Sequence, residues 1–256
     1  MTQETRTRGA DLWLPLRKPA TYRLTLFCLP FAGAGANVYL PWLDAFGTSI
    51  QPCPVEYPGR ARRFAERMPS DLGMLADATL DGLRCGFSER FAFFGHSMGG
   101  LLAFEMTRRL AERSSPLPEA LVISSWQAPH LPTHLPKKHT LADEAFVEEL
   151  RRMGGTPQEV LANAKLLAHV LPIARDDFRL TEEWISPAAP PLPLPIHVIG
   201  GDNDPQIPVE ALSAWVKHTT VEATIDLLPG GHFCLFDHRE RAAQLIIERL
   251  EHRRRV

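Results

Sequence analysis

The sequence predicts an α/β fold in which a mostly parallel central sheet carries helices on both faces and a helical insertion interrupts the chain. Three observations predict it. Short apolar runs, continuous rather than alternating, recur along the chain and end in turn-forming residues, as strands buried on both faces do. The pentapeptide Gly95-His96-Ser97-Met98-Gly99 lies between one such run and a stretch of helical periodicity, which makes a strand–turn–helix corner. Strand and helix patterns alternate from about Tyr22 to Trp126, stop, and resume at Ile196. The 256 residues suit one large domain spanning 1–256, long enough to bury about three quarters of its unfolded surface.

In chain order, the first strand reads Tyr22 to Pro30 and feeds Phe31-Ala32-Gly33-Ala34-Gly35-Ala36, whose small residues permit close backbone approach. Gly33-Ala34-Gly35 lacks the next glycine of a dinucleotide fingerprint and the lysine of a phosphate loop, so nucleotide binding is the weaker reading. Phe91-Ala92-Phe93-Phe94 is the strand before the pentapeptide, and Met98 to Arg113, free of proline, is the helix after it. This G-x-S-x-G is how α/β-hydrolases hold a serine out of the backbone. The turn is strained, and a side chain in place of either glycine would collide where strand and helix converge. Ser97 is the candidate nucleophile.

A serine hydroxyl is a poor nucleophile at neutral pH and needs a histidine base oriented by an acid. Strand Ile196 to Gly201 runs into Asp202-Asn203-Asp204-Pro205, and strand Thr224 to Leu228 runs into Pro229-Gly230-Gly231-His232-Phe233. With one amphipathic stretch, Val209 to His218, between them, acid and base fall at the carboxyl ends of neighbouring parallel strands. Asp202 and Asp204 compete. The G-x-x-D spacing and the proline behind it favour Asp204 as the acid and His232 as the base. The alternative position for the acid, after strand Ala120 to Ser125, offers only Trp126-Gln127-Ala128-Pro129. An oxyanion would need backbone N–H donors, expected from Met98 at the helix start and from the loop after the first strand.

Between Trp126 and Ile196, prolines at 129 and 132 and the proline-rich Pro187 to Pro195 bound an insertion of helical character at 130–186. Thr140 is positioned to cap a helix through Met153, ended by Gly154-Gly155. Thr156-Pro157-Gln158-Glu159 reads as a capping box opening a second, and a third begins near Pro172 and reaches Trp184. An insertion after this strand lies over the nucleophile, where it serves as a lid; an ordinary packed subdomain would show the same apolar stripes.

Composition limits the rest. A formal net charge of −2 with a pI near 6.6 gives no reason to expect nucleic acid or an anionic membrane as a partner. The polar start of the chain and the lack of a long apolar segment predict a cytoplasmic protein. The cysteines at 28, 53, 85 and 234 have no framework spacing and read as free thiols. His130, His134 and His139 form no ligand set, because prolines at 132 and 136 break the register, so no metal is expected. Other histidines read as structural or solvated: His96 in the corner, His197 in a strand, and His218, His238 and His252 in solvent.

Taken together, these residues resemble the stand-alone type II thioesterases of polyketide and nonribosomal peptide synthetase systems. The resemblance rests on Leu29-Pro30-Phe31-Ala32-Gly33-Ala34-Gly35, Tyr57-Pro58-Gly59-Arg60, Phe94 to Gly100, Leu171-Pro172-Ile173-Ala174-Arg175-Asp176-Asp177-Phe178, Gly201 to Pro205, and Pro229 to Phe233. It implies hydrolysis of acyl groups from the phosphopantetheine arm of acyl or peptidyl carrier proteins, an editing role. No cofactor is implied, since the prosthetic group arrives with the carrier; small acyl thioesters would serve as simple substrates. It also implies Ser97, His232 and Asp204 as the triad, with the amides of Met98 and Ala32 as the oxyanion hole. Where the family usually carries histidine this chain has Phe31, which leaves the Ala32 donor in place but removes a polar group. Two other readings stay open: a small-molecule carboxylesterase or cofactor-free perhydrolase, and a non-catalytic hydrolase-fold binding protein. For carrier docking, the cluster Arg60, Arg62 and Arg63 after the Tyr-Pro-Gly turn is the candidate, with Arg253-Arg254-Arg255 a poorer one.

Overall fold

Six strands, β1 (Leu24–Leu29), β2 (Ile50–Pro54), β3 (Phe91–His96), β4 (Leu121–Ser124), β5 (Ile196–Gly201) and β6 (Ala223–Leu228), form one sheet in the order β2-β1-β3-β4-β5-β6. Every pairing is parallel. The computed structural model describes residues 12–17, 22–84, 87, 90–132 and 136–252; Cys85, His134 and Arg253-Arg254-Arg255 lie outside them.

Side chains alternate along each strand, and both faces are covered along β1 to β5, while the edge strand β6 is mostly half-buried. Phe27, Leu29, Phe91 and Phe93 pack with residues of α1 (Leu72–Leu83) and α2 (Met98–Glu112). Leu26, Cys28, Ala92 and Phe94 pack instead with Tyr39 and Trp42 of the 3-10 segment Ala36–Trp42 and with Ala242, Ala243 and Ile246 of the C-terminal helix. Two-sided burial explains why the strands read as unbroken apolar runs. It also fixes them: truncating a ring such as Phe93 would cost about 3–5 kcal/mol. Register aligns Leu29 with Gly95, His96 with Ser124 and Ser124 with Ile199, so the loops that follow β1, β3 and β5 open on one edge of the sheet.

The insertion leaves the sheet after β4 and returns at β5. It holds α3 (Asp143–Met153), the short α4 (Gln158–Leu161) and α5 (Ala164–Glu182). Phe146 and Leu150 of α3, Leu161 of α4, and Ala174 and Phe178 of α5 bury a small core of their own. Helix α3 ends on Gly154 at φ 82°, in the left-handed region. Other boundaries differ from those the sequence suggests. Thr140 closes a 3-10 turn by donating to Lys137 O at 2.8 Å, and α3 starts after Ala142 with Asp143 and Glu144 favouring its dipole. The capping box at Thr156 does not form, and Pro157 precedes α4 without a side-chain bond.

Helices predicted on either side of Pro172 are instead one. Asn163 caps α5 by accepting from Lys165 N at 3.1 Å and Leu166 N at 3.2 Å, and the helix continues through Pro172 for 19 residues. A proline there costs about 3 kcal/mol, and the buried face carried by Ala174, Asp177, Phe178 and Leu180 holds the helix together across it. The last helices are α6 (Val209–Ser213), α7 (Cys234–Asp237) and α8 (Arg239–His252).

Candidate active site

Ser97 sits at the corner between β3 and α2 with φ 53° and ψ −119°, a strained conformation for a residue with a Cβ. The neighbours allow it only as glycines. A Cβ on Gly95 would lie 2.1 Å from the Gly99 carbonyl carbon, and one on Gly99 would lie 2.0 Å from Leu29 O. The corner is held to β4 by Ser97 N donating to Ser124 O at 2.8 Å.

Across from it, His232 follows β6. Its Nε2 lies 3.1 Å from Ser97 Oγ and its Nδ1 lies 2.8 Å from Asp204 Oδ2. A carboxylate only accepts, so the imidazole proton belongs on Nδ1, and Nε2 is left to accept from the serine hydroxyl. Asp204 and His232 are both buried, and Asp204 Oδ1 also accepts from Gln206 N at 2.8 Å. Asp202 is exposed and turned away; its Oδ1 accepts from Gly230 N at 2.9 Å.

Behind the imidazole lies an aromatic layer. Phe31 meets Phe233, Phe236 and His96 edge-on at ring separations of 5.0, 5.5 and 5.7 Å. The phenyl ring at position 31 is thus part of the floor under the site. His96 is fully buried 5.2 Å from the His232 ring. Burial and the nearby His232 hold it well below the ordinary histidine range, which keeps it neutral. Its Nδ1 pairs with Ser124 Oγ at 3.1 Å.

Two small cavities flank Ser97. One, of about 20 Å³, is lined by Ala32, Leu150, Gly155, Phe178 and Phe233. The other, of about 60 Å³, brings Gln127, Lys138, Glu182 and Gln206 beside His232. An open groove of about 560 Å³ shares Trp126, Gln127, Thr181 and Glu182 with the second cavity and leads to the surface. Met98 opens α2, where first-turn amides lack intrahelical partners, and Ala32 borders the Ser97 cavity from β1's side.

The arginine cluster does not form a surface. Arg60 is buried and bonded through Nη2 to Asp177 Oδ1 at 2.7 Å and through Nη1 to Ala34 O. Arg63 is also buried, stacked 3.7 Å over the Trp13 ring, with Nη1 on Glu56 O at 2.9 Å and Nη2 on Glu66 Oε2 at 2.7 Å. Only Arg62 is exposed. The two guanidinium groups are structural because the Tyr-Pro-Gly turn buries backbone carbonyls that need donors.

His218 departs from its solvated reading as well. It packs on Phe104 and Trp215 and its Nε2 lies 2.8 Å from His130 Nδ1; burial and His130 push its pKa down to about 4. His139 pairs instead with Glu182 at 2.6 Å. Among the described residues, no group of three or more His, Cys, Asp or Glu is placed to hold a metal ion, and no helix is long and apolar enough to cross a membrane. Cys28, Cys53 and Cys234 are buried and form no disulfide with one another.

Asp177 is the site-adjacent residue that local pattern reading missed. The signal was available: Ala174, Asp177 and Phe178 share one helical face, so a carboxylate occupies a position that periodicity assigns to the core.

Residues 24–252 match the thioesterase domain family. The gramicidin S biosynthesis protein GrsT of Aneurinibacillus migulanus is 33% identical over 228 residues, covering 89% of each chain. Thioesterase PikA5 of Streptomyces venezuelae is 35% identical over 240 residues, 93% of this chain and 85% of that one. The solved structure of the type II thioesterase BorB from the borrelidin biosynthetic cluster superposes with a TM-score of 0.85 at 39% identity, covering 94% of this chain and 98% of that one. The sheet order, the strained serine corner and these matches have one meaning: the chain belongs to the thioesterase domain family, on the α/β-hydrolase fold.

Proposed function

We propose that Ser97, His232 and Asp204 are a catalytic triad that hydrolyses acyl groups from the phosphopantetheine arms of acyl or peptidyl carrier proteins, an editing activity in polyketide or nonribosomal peptide biosynthesis. One observation carries the mechanism: the continuous line from Asp204 through His232 to Ser97, at 2.8 and 3.1 Å. The similarity to proteins named for gramicidin S and borrelidin biosynthesis supports the substrate class. A cytoplasmic location accords with three buried cysteines outside any disulfide.

In this reading Ser97 Oγ attacks the thioester carbonyl while its proton passes to His232 Nε2. The charge that develops on the carbonyl oxygen is met by the amides of Met98 and Ala32. The carbon–sulfur bond then breaks and the pantetheine sulfur takes the proton from His232. Water, giving its proton to the same nitrogen, attacks the acyl-serine; the bond from the acyl carbon to Ser97 Oγ then breaks, Oγ takes the proton back from His232 Nε2, and the acid is released. Asp204 holds the imidazole and stabilises its protonated form. All of these groups belong to the chain, and the pantetheine comes with the carrier.

The insertion at 130–186 acts as the lid. Cavities of about 20 and 60 Å³ beside Ser97 hold a few waters, whereas ligand pockets run to about 300–1,000 Å³. The open groove of about 560 Å³ beside the second cavity can receive an acyl arm, and seating the acyl chain against Ser97 then requires part of the insertion to move.

The test is release of a panel of acyl groups from carrier proteins, followed by mass spectrometry of the carrier. Wild-type protein should strip the carriers and Ser97→Ala should leave them loaded while keeping the native fold. An oxygen ester of the same acyl chain should react more slowly. Activity retained in Ser97→Ala removes the triad, and preference for the oxygen ester makes the protein a carboxylesterase.

A further inference from the structure

The loop that carries Ala32 is gripped from the insertion. Gly33 N donates to Asp177 Oδ2 at 2.7 Å, and the other oxygen of the same carboxylate takes Arg60 Nη2 at 2.7 Å. Arg60 in turn donates to Ala34 O, one residue further along the loop. Asp177 therefore holds the loop by an amide on one side of position 33 and, through Arg60, by a carbonyl on the other. The carboxylate is wholly buried, and burial raises its pKa while Arg60 opposes the rise.

Three further contacts converge on the same few residues. Gly33 adopts φ +81°, and a Cβ there would stand 3.3 Å from the Cβ of Ala174, so α5 lies directly against the loop. Tyr57 Oη donates to Pro30 O at 3.2 Å, and Glu56 Oε1 accepts from Ala36 N at 3.4 Å. The segment from Pro30 to Ala36 is thus pinned at both ends by the second-strand loop and in its middle by the insertion. A buried charged pair is an expensive way to hold a surface loop. It is a direct way to hold one amide to within a fraction of an ångström, which is what stabilising a developing oxyanion demands.

We infer that Asp177, anchored by Arg60, is a positioning residue that sets the Ala32 amide for the oxyanion, and so makes the second half of α5 part of the catalytic frame and not of the moving lid. The inference rests on the proposed serine mechanism. It assigns no contact between Asp177 and substrate. Its effect runs through one residue, because Asp177 holds the nitrogen of Gly33, the residue that directly follows the one whose nitrogen is to meet the oxyanion.

The experiment compares Asp177→Asn and Arg60→Gln with wild type on the hexanoyl thioester of N-acetylcysteamine, with Ser97→Ala as control. Removing an oxyanion donor outright costs about 100- to 1,000-fold in kcat; a donor left present but unfixed should lose roughly ten- to a hundredfold, with KM changed by less than about threefold. Binding is read with two further probes: hexylboronic acid, which adds to the Ser97 oxygen as a tetrahedral anion, and the hexanoyl amide of N-acetylcysteamine, which does not react. The boronate should weaken by the same factor as kcat and the amide should bind as before. Equal weakening of both probes, or an unchanged kcat in a folded variant, overturns the inference. If Asp177→Asn fails to fold, Arg60→Gln decides, since it leaves the Asp177–Gly33 bond in place while releasing Ala34 O and the second oxygen of Asp177. Full activity in Ser97→Ala would instead sink the serine mechanism itself, so the two failures are distinct.

Discussion

Asp202 and Asp204 stand two positions apart on one loop and hold two different parts of the next: Asp202 fixes the Gly230 amide at 2.9 Å, and Asp204 fixes the His232 imidazole at 2.8 Å. One carboxylate shapes the loop that delivers the histidine, and the other orients the ring once delivered. Asp204→Asn is expected to cut kcat by about a thousandfold or more, because an amide can present a donor where Nδ1–H needs an acceptor. Asp202→Asn retains an acceptor oxygen and should stay within a few-fold of wild type, with a loss of stability of about 1 kcal/mol. Steady-state kinetics on the two variants, with thermal melts, check both; the reverse order would exchange their roles.

Acid lability should trace to neutral buried histidines. The folded-state pKa of His96 lies well below its ordinary 6.5, and that of His218 falls to about 4. Below pH about 6.5 the unfolded chain therefore binds protons that the folded chain refuses, and stability is lost as pH falls from there toward the folded-state values. Each such proton contributes at most about 1.4 kcal/mol per pH unit. Melting temperatures between pH 7.5 and 5 should decline for wild type and decline less steeply for His96→Phe. Parallel curves would show that His96 is not the sensor.

Motion in the insertion should be uneven. Helices α3 and α4 rest on a small core of five buried apolar residues with α5, whereas the second half of α5 is tied down by Asp177, by Arg179 donating to Ser70 O at 2.7 Å, and by Glu182 accepting from Lys138 N at 2.9 Å. Hydrogen exchange should be fastest across 143–161, slower across 174–182 and slowest in β3, with the first segment changing when an acylated carrier binds. Uniform protection across the three would reduce the insertion to a static wall.

Charge reversal separates the arginines. Arg62→Glu touches an exposed side chain and should leave stability within about 0.5 kcal/mol, so any rise in KM for an acyl-carrier substrate, larger at low salt, reads docking directly. Arg63→Glu should lower stability by about 2–4 kcal/mol, since it strands Glu56 O and places a carboxylate beside Glu66. A fully stable Arg63→Glu protein would contradict the burial described for that residue.

The parts of the fold legible in the sequence were those set by local pattern. Continuous apolar runs gave the strands because both faces of the sheet are buried, and Gly95 and Gly99 marked the corner because backbone passes within a bond length or so of where a side chain would start. Asp204 was distinguishable from Asp202 by its place in the turn. What failed were decisions made across distance. Pro172 reads as a helix start until Phe178 and Ala174 find their partners on α3, and Arg60 reads as a surface charge until Asp177, 117 positions away, is folded against it. Neither partner is visible within a window of local sequence.

The pairing of β4 with β5 joins two stretches of chain separated by the whole insertion, with Leu121 to Ser124 matched to Ile196 to Ile199. Ser97 and both expected oxyanion amides lie before that seam, and Asp204 and His232 lie after it. The protein is therefore naturally bipartite: a scission at the Gly154-Gly155 turn yields two fragments, each with its own strands of the sheet and neither with a complete line from acid to nucleophile. Activity becomes a logical AND of the two halves, and reconstitution of hydrolysis from separately made fragments would report their reunion as a split enzyme does.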